Sequence, residues 1–467
     1  MLHNLLTTEP SVATAGVDLF ADALSAQAAV STPVEWKPPM AGSEDDLRTV
    51  MADPRRHEAN AEALRRITSA GAELVGLVPA REALDLQPGE FLHSGPPLEW
   101  ERASGPMRGA LIGAALFEEL VSSEDEAVAA FESGRFTMAP CHSRGAVGPM
   151  AGVVSPSMYM QKLVDPEFGG TAYCSLNEGL GKVLRYGAYS QEVIDRLRWM
   201  RDVLGPFLAA AVDKAGPIDI RAYIAQMVQM GDEGHNRNRS ATLSLLRDLG
   251  PTMFGLDEFS SADRAEAFRF VGGNDHFALN LVMPACKLIL HSAKDIPGST
   301  TVVTMARNGT DFGIQVSGTG DQWFTGPAQK PEGLFLGSYG PDDANPDIGD
   351  SAITETAGIG GLAMATSPAI VQLVGGDVPF ALRTTRTMYE ICGGESKIWQ
   401  LPIMEFRGTP TGIDVTRVVA TGVLPQINTG MAGAVAGVGQ VGAGLVNPPA
   451  ECFTQALSAL AAQVPSA

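Results

Sequence analysis

Seventeen residues, Asn345–Gly361 (NPDIGDSAITETAGIGG), hold three carboxylates: Asp347, Asp350 and Glu355. With them come the hydroxyl and amide side chains of Asn345, Ser351, Thr354 and Thr356, and glycines at 349, 358, 360 and 361. Asn-Pro opens the stretch as a turn, and Asp350 or Ser351 is placed to N-cap a helix running through AITETAGIGGLAMA. Backbone N–H groups at a helix start, beside hydroxyls and a glycine such as Gly360, suit an anionic or carbonyl-rich small molecule. The competing reading is an ordinary capped helix whose glycines permit close packing.

Two other stretches carry titratable groups. Met230–Ser240 (MGDEGHNRNRS) lies between apolar helical segments. Either it is a solvated helix start, or His235 or Glu233 moves a proton and Arg237 clamps an anion. Cys174–Gly187 (CSLNEGLGKVLRYG) sets Asn177 and Glu178 at a strand end, followed by Lys182 and Arg185. Glu178 with Lys182 is also an ordinary i, i+4 pair. Cys141-His142 could form a thiol–imidazole pair, although a lone cysteine is more often a packing residue. Gly437–Gly442 spells G-x-G-x-x-G, but Asn447-Pro448-Pro449 breaks the chain where a dinucleotide fold needs a helix. Gly179-Leu180-Gly181-Lys182 runs into Val183, where a P-loop needs Ser or Thr. The seven histidines show no metal-ligand spacing, which leaves Asp347 and Asp350 as the one candidate pair for Mg²⁺ held with substrate.

The elements that must position these groups follow from periodicity. Residues 1–9 read as a tail, and 1–56 as a small β-α-β extension. Residues 57–189 read as an α/β domain, with helices near Glu58–Ser69, after Pro106 and at SEDEAVAAFESG. Residues 190–297 are mainly helical, including one long helix kinked near Gly205-Pro206. Residues 298–467 switch to period two, turn at Asn308-Gly309, and read as a glycine-rich α/β domain with a closing helix from Ala450. The fold class expected is therefore mixed α/β or α+β, in several domains.

The 467 residues allow a sizeable core, with 45% hydrophobic and 18% charged residues. A net charge of -20 argues against nucleic acid and anionic membrane surfaces as partners. Five scattered cysteines without C-x-x-C spacing fit a reduced, cytoplasmic protein. No signal peptide or membrane span is expected.

Taken together, HSGPPLEW, GPMRGALIGAALFE, PCHSRGAVGPMAG, AYCSLNEGLGKVLRYGAY, GDEGHNRN, ARNGTDFGIQVSG, ANPDIGDSAITETAGIGG and INTG…GVGQVGAG resemble the YlbE-like bacterial family in order. The resemblance covers roughly residues 15–465. One member of that family is understood to be a subunit of an oxamate carbamoyltransferase, working with a partner that resembles the succinyl-CoA synthetase alpha subunit. The resemblance implies carbamoyl transfer: oxalurate plus phosphate giving oxamate plus carbamoyl phosphate, in purine or allantoin-type nitrogen catabolism, with no organic cofactor. It implies a hetero-complex, a homo-oligomer, or both.

On this reading Arg237 and Arg185 hold anions. Ser351, Thr354 and the Gly358–Gly361 backbone hold carbamoyl or phosphate oxygens, and His235 or Glu233 moves the proton. Asn177, Asn428 and Gln440 orient the substrate, and Glu178, Asn345, Asp350 and Glu355 complete the pocket. Alternatives are a free-standing C–N hydrolase of a ureido or cyclic amide compound, and a non-catalytic assembly subunit. The family tends to carry a second histidine where this chain has Ser143, and His-Lys-Glu where it has Gly433, Ala434 and Val435.

Overall fold

The computed structural model describes residues 12–15, 18–27, 31–34, 37–367 and 375–465. The expected tail at residues 1–9 lies outside them. The chain is a multidomain α+β protein, built of helices and several small, mostly antiparallel sheets.

The N-terminal unit forms as the periodicity predicts: strands Val12–Ala15 and Ser31–Val34 pair in parallel around helix Asp18–Ala26. A five-stranded sheet follows. Its order is Ala146–Val147, Thr171–Ser175, Tyr159–Val164, Glu73–Pro79, Ile218–Asp219. Apolar side chains of that sheet and of the surrounding helices share one continuous core that includes Leu74, Phe117, Phe207, Val282 and Ala363. The helix Leu279–His291 runs through this core with nearly every side chain buried, which is why its sequence is apolar all round.

The long helix expected from Gln191 is two α-helices, Gln191–Trp199 and Gly205–Ala215, joined by a wider π turn at Met200–Leu204. Pro206 fixes where the second begins. Gly205 is needed there for space, because a Cβ on it would lie 2.4 Å from the Tyr159 ring.

Three sheets carry the C-terminal part, one of them the antiparallel pair Cys392–Leu401 and Arg407–Ile413. A second orders Phe324–Pro327, Asp311–Val316, Val302–Asn308 and Ile348–Gly349, with the hairpin at Asn308-Gly309 as predicted. The third orders Glu332–Phe335, Gln440–Val446 and Ile427–Ala432, so the G-x-G-x-x-G letters run into an antiparallel strand. No nucleotide-binding turn forms there.

The expected helix over AITETAGIGGLAMA is corrected. A 3₁₀ turn at Asp350–Ala352 leads into five α-helical residues, Ile353–Ala357. Gly358 then turns left-handed at φ 103° and a second 3₁₀ segment covers Gly360–Thr366. The glycines break the helix instead of merely packing it. Neither Asp350 nor Ser351 caps it with its side chain.

Candidate functional site

The polar loop Met230–Asn238 joins helix Ile220–Gln229 to helix Arg239–Phe254. It is not a solvated helix start: Asp232, Glu233, His235 and Asn238 are all buried. The Glu233 carboxylate folds the loop around itself. It accepts the backbone N–H of His235 at 2.7 Å, Asn236 at 2.7 Å and Arg237 at 2.8 Å. Asp232 accepts the N–H of Ser240 at 2.7 Å and so ties down the start of the next helix. Arg237 reaches Asp232 at 3.4 Å with its side chain 40% exposed.

Burial pushes the Glu233 carboxyl up to about 8, with the nearby Glu355 charge adding to the rise and the three N–H donors opposing it. Its pKa is thus higher folded than unfolded, and the native state binds the extra proton between the usual value of 4.5 and about 8. The stability from this group is full below that window and is lost as pH rises through it. The urea midpoint of the protein should accordingly fall between pH 5 and 8, and Glu233→Gln should flatten that fall. An unchanged slope in the variant would remove Glu233 as its source.

The loop delivers His235 to Glu355. His235 Nδ1 lies 2.9 Å from both carboxylate oxygens, and both side chains are buried. Glu355 is held by three further donors. The Thr354 hydroxyl lies at 2.9 Å, the Gly361 N–H donates at 2.8 Å and the Asn428 N–H at 3.3 Å. Burial alone would raise its pKa, but the His235 charge and hydrogen bond, with the Gly361 N–H and Arg307, hold it below the usual value. Gly360 is required here, because a Cβ would sit 2.2 Å from Glu355 Oε1. The Gly360 N–H also donates to the Glu233 carbonyl at 2.7 Å, locking the two loops together.

Next to this dyad, the Asn236 side chain donates to Asn428 Oδ1. Asn428 Nδ2 is buried with no partner. His235 Nε2 likewise makes no hydrogen bond among the described residues. An imidazole fixed at one nitrogen by a carboxylate and free at the other is arranged to pass a proton. An unpaired amide donor beside it is arranged to meet an oxygen that gains negative charge.

Arg185 comes to the same region through a residue that the sequence reading passed over. His276 is pushed down to about 4 by burial and by the charges of Arg185 and His235 close by. Arg185 Nε is buried without a partner, while its Nη2 donates to the Gly179 carbonyl at 2.5 Å. Gln440, first in its strand, donates to the Gly442 carbonyl at 2.9 Å and lies 3.5 Å from the Tyr186 hydroxyl. The hairpin tip that contains Gly433, Ala434 and Val435 packs its glycines onto Gly181 and Ala188, and leaves Val435 69% exposed.

The remaining expected residues sit in separate clusters. Ser351 joins a buried ion pair between Arg307 and Asp347. Arg307 donates to Asp347 at 2.6 and 3.0 Å, to the Gly349 carbonyl at 2.8 Å, to Ser351 Oγ at 3.2 Å and to Thr429 Oγ1 at 3.0 Å. Thr429 follows Asn428, so this pair underpins the strand that carries the amide. Asp350 accepts the N–H of Gly95 at 2.7 Å and of Gly148 at 2.9 Å. Asp347 and Asp350 are thereby committed to different partners. Asn177 pairs with Asn280 and Asn274, Glu178 accepts the N–H groups of Leu184 and Arg185, and Asn345 donates to the Pro346 carbonyl. Cys141 faces the Gly152 carbonyl at 3.2 Å, and burial raises its thiol well above the usual value, against any role as a nucleophile.

The fold and these clusters define a multidomain α+β protein with a buried histidine–carboxylate centre at the junction of two loops and a strand. Comparison with known proteins places it more closely, and the chain belongs to the AllG family. Residues 136–351 match the sequence model of the oxamate carbamoyltransferase subunit AllG. The chain is 44% identical over 408 residues to the oxamate carbamoyltransferase subunit AllG of Escherichia coli K12, covering 86% of this chain and 97% of that one. It is also 44% identical over 467 residues to the uncharacterized protein YahG of the same organism, covering 98% of each. Among solved structures, a conserved protein of unknown function from Enterococcus faecalis V583 superposes with a TM-score of 0.86 at 46% identity, over 88% of this chain and 98% of that one. No helix among the described residues is long and apolar enough to cross a membrane.

Proposed function

We propose that this chain is a catalytic subunit of an oxamate carbamoyltransferase, which moves a carbamoyl group between the ureido nitrogen of oxalurate and phosphate. A phosphate oxygen attacks the carbamoyl carbon, the C–N bond to the oxamate nitrogen breaks, and that nitrogen takes up a proton. The products are carbamoyl phosphate and oxamate.

The observation that carries this reading is the oriented His235–Glu355 pair beside the unpartnered Asn428 amide. Glu355 accepts from Nδ1–H and so leaves the Nε2 lone pair free; His235 Nε2 takes the proton of the attacking hydrogen phosphate and passes it to the leaving nitrogen. Asn428 Nδ2 donates to the carbamoyl oxygen as charge builds on it. Arg185 and Arg237 hold the carboxylate and the phosphate. Ser351 and Thr354 stiffen the wall beneath, through Arg307 and Glu355 respectively. The reading calls for no organic cofactor. It places the chain in an intracellular complex with a partner resembling the succinyl-CoA synthetase alpha subunit.

The test is an assay of the purified chain on oxalurate, with and without phosphate and with and without its partner subunits. Phosphate-dependent formation of carbamoyl phosphate is expected, and it should collapse in Asn428→Ala by about 10²-fold, the scale of losing one such donor. Breakdown of oxalurate without phosphate would make the chain a hydrolase. Full activity of the partners in its absence would make it an assembly subunit.

A further inference from the structure

We propose that the cavity beside the C-terminal half of helix Leu279–His291 is a binding site for a small oxyanion, a phosphate or a carboxylate. The proposal does not rest on the carbamoyl-transfer reading. The cavity, about 410 Å³, is lined by His142, Thr171, Lys287, His291, Lys294 and Trp323 among others, and by none of His235, Glu355, Asn428 or Arg237. It opens to solvent past exposed Ser143 and Asp321.

Two of its walls are unpaid polar groups. Lys287 is only 6% exposed on a helix otherwise packed in the core, and it makes no hydrogen bond or ion pair among the described residues. A buried ammonium with no direct ion-pair partner is disfavoured, which leaves Lys287 able to take an anionic ligand. His142 is 8% exposed, and its Nδ1 has no partner. Its Nε2 lies 3.3 Å from Asp350 Oδ1, off line for a hydrogen bond, and its ring meets Trp323 edge-on at 5.6 Å.

The competing explanation is that cations collect at any helix C-terminus. That accounts for His291 and Lys294 but not for Lys287, which lies a full turn back inside the core, or for His142 on a different segment.

Two carboxylates nearby offset part of the lysines' charge, but neither makes an ion pair or hydrogen bond with Lys287 among the described residues. Asp321 is paired with Lys294, and Asp350 is occupied by two backbone N–H groups behind His142. Burial, with Lys294 adding, pushes Lys287 down to about 8. Burial lowers His291 too, with Lys287 and Lys294 adding, and it lowers His142. An oxyanion seated between them would relieve all three. Gln315 and Thr171 supply neutral polar groups at the rim.

The experiment uses the full chain and potassium cyanate, which adds to a neutral lysine amine to give a urea small enough to form inside the cavity. Modification of Lys287 is followed by peptide mass spectrometry, with exposed Lys397 as the internal control. Inorganic phosphate and malonate are compared at matched ionic strength with chloride. At about ten times its dissociation constant, a bound anion should slow labelling of Lys287 about 10-fold and leave Lys397 unchanged. Protection by phosphate alone names a phosphate site, by malonate alone a carboxylate site, and by both a general oxyanion site.

Calorimetry should then lose one equivalent of the protecting anion in Lys287→Met and keep that equivalent in His235→Asn. Failure of the proposed catalytic centre is thus distinguishable from failure of this site. Protection by neither anion would overturn the proposal, and so would an undiminished stoichiometry in Lys287→Met.

Discussion

Arg307→Met should destabilise the protein by about 3–5 kcal/mol, the usual cost of leaving one member of a buried ion pair alone. Arg307 is fully buried, and its guanidinium makes five hydrogen bonds, two of them to Asp347. Methionine fills much of the volume but strands the Asp347 carboxylate at 2% exposure, with the Thr429 hydroxyl and the Ile348 N–H as its remaining donors. It also removes the donors to Gly349 and Ser351, so the turn into Ile353–Ala357 loses its anchor. Arg307→Lys should rescue little, because one ammonium cannot reproduce a fork that engages a carboxylate, a carbonyl and two hydroxyls. The double variant Arg307→Met/Asp347→Leu should recover a large part of the loss. The measurement is the midpoint of the first cooperative transition in urea. A loss below about 1 kcal/mol in Arg307→Met would mean that the pair contributes only what an exposed one does.

What the sequence made legible follows from how local the signal is. The β-α-β unit, the helices of the middle region and the hairpin at Asn308-Gly309 are written in short-range periodicity and turn residues, and they form where expected. The helix through AITETAGIGG is a failure of the same method. Its apolar spacing is helical, but Gly358 turns against the Pro410 carbonyl, which is distant in sequence, and Gly360 against the Glu355 carboxylate, whose position depends on His235. The polar loop at Glu233 reads as solvated because composition cannot reveal that one carboxylate will absorb three backbone donors and so permit burial. His235, Glu355 and Asn428 carry chemistry by residue type alone, yet their meeting depends on contacts across 120 and 73 positions. Arg307 was hidden by its place in a strand next to a turn. The signal that would have found it is an arginine directly continuing the largely apolar strand run TVVTMA, where an unpaired charge is untenable. The substituted positions at Gly433, Ala434 and Val435 lie on a hairpin tip that does not contact His235 or Glu355 through any hydrogen bond among the described residues. A loss there therefore bears on what approaches the site more than on the dyad itself.

His235→Asn should lower kcat by about 10²–10⁴-fold, the range for removing a positioned general acid, with the KM for oxalurate nearly unchanged. Asparagine is the informative substitution because its amide nitrogen falls where Nδ1 was. The hydrogen bond to Glu355 then survives, Glu233 keeps its backbone donors, and only the free Nε2 is lost. A thermal midpoint close to that of the parent chain would show that the loop still folds, so a fall in kcat would report chemistry and not collapse. Glu355→Gln should be milder in kcat but costlier in stability. It removes the negative charge that orients the imidazole and mismatches the carboxylate's buried donors, among them the Gly361 and Asn428 N–H groups. The two variants therefore separate roles: an acid that is lost with its nitrogen, and a positioning carboxylate whose loss also moves the fold. If His235→Asn retained activity within about twofold, a proton-transfer role would fail, since no general acid contributes so little. The same cluster would then be a structural junction, with Glu355 serving to join the Glu233 loop to the Asn428 strand.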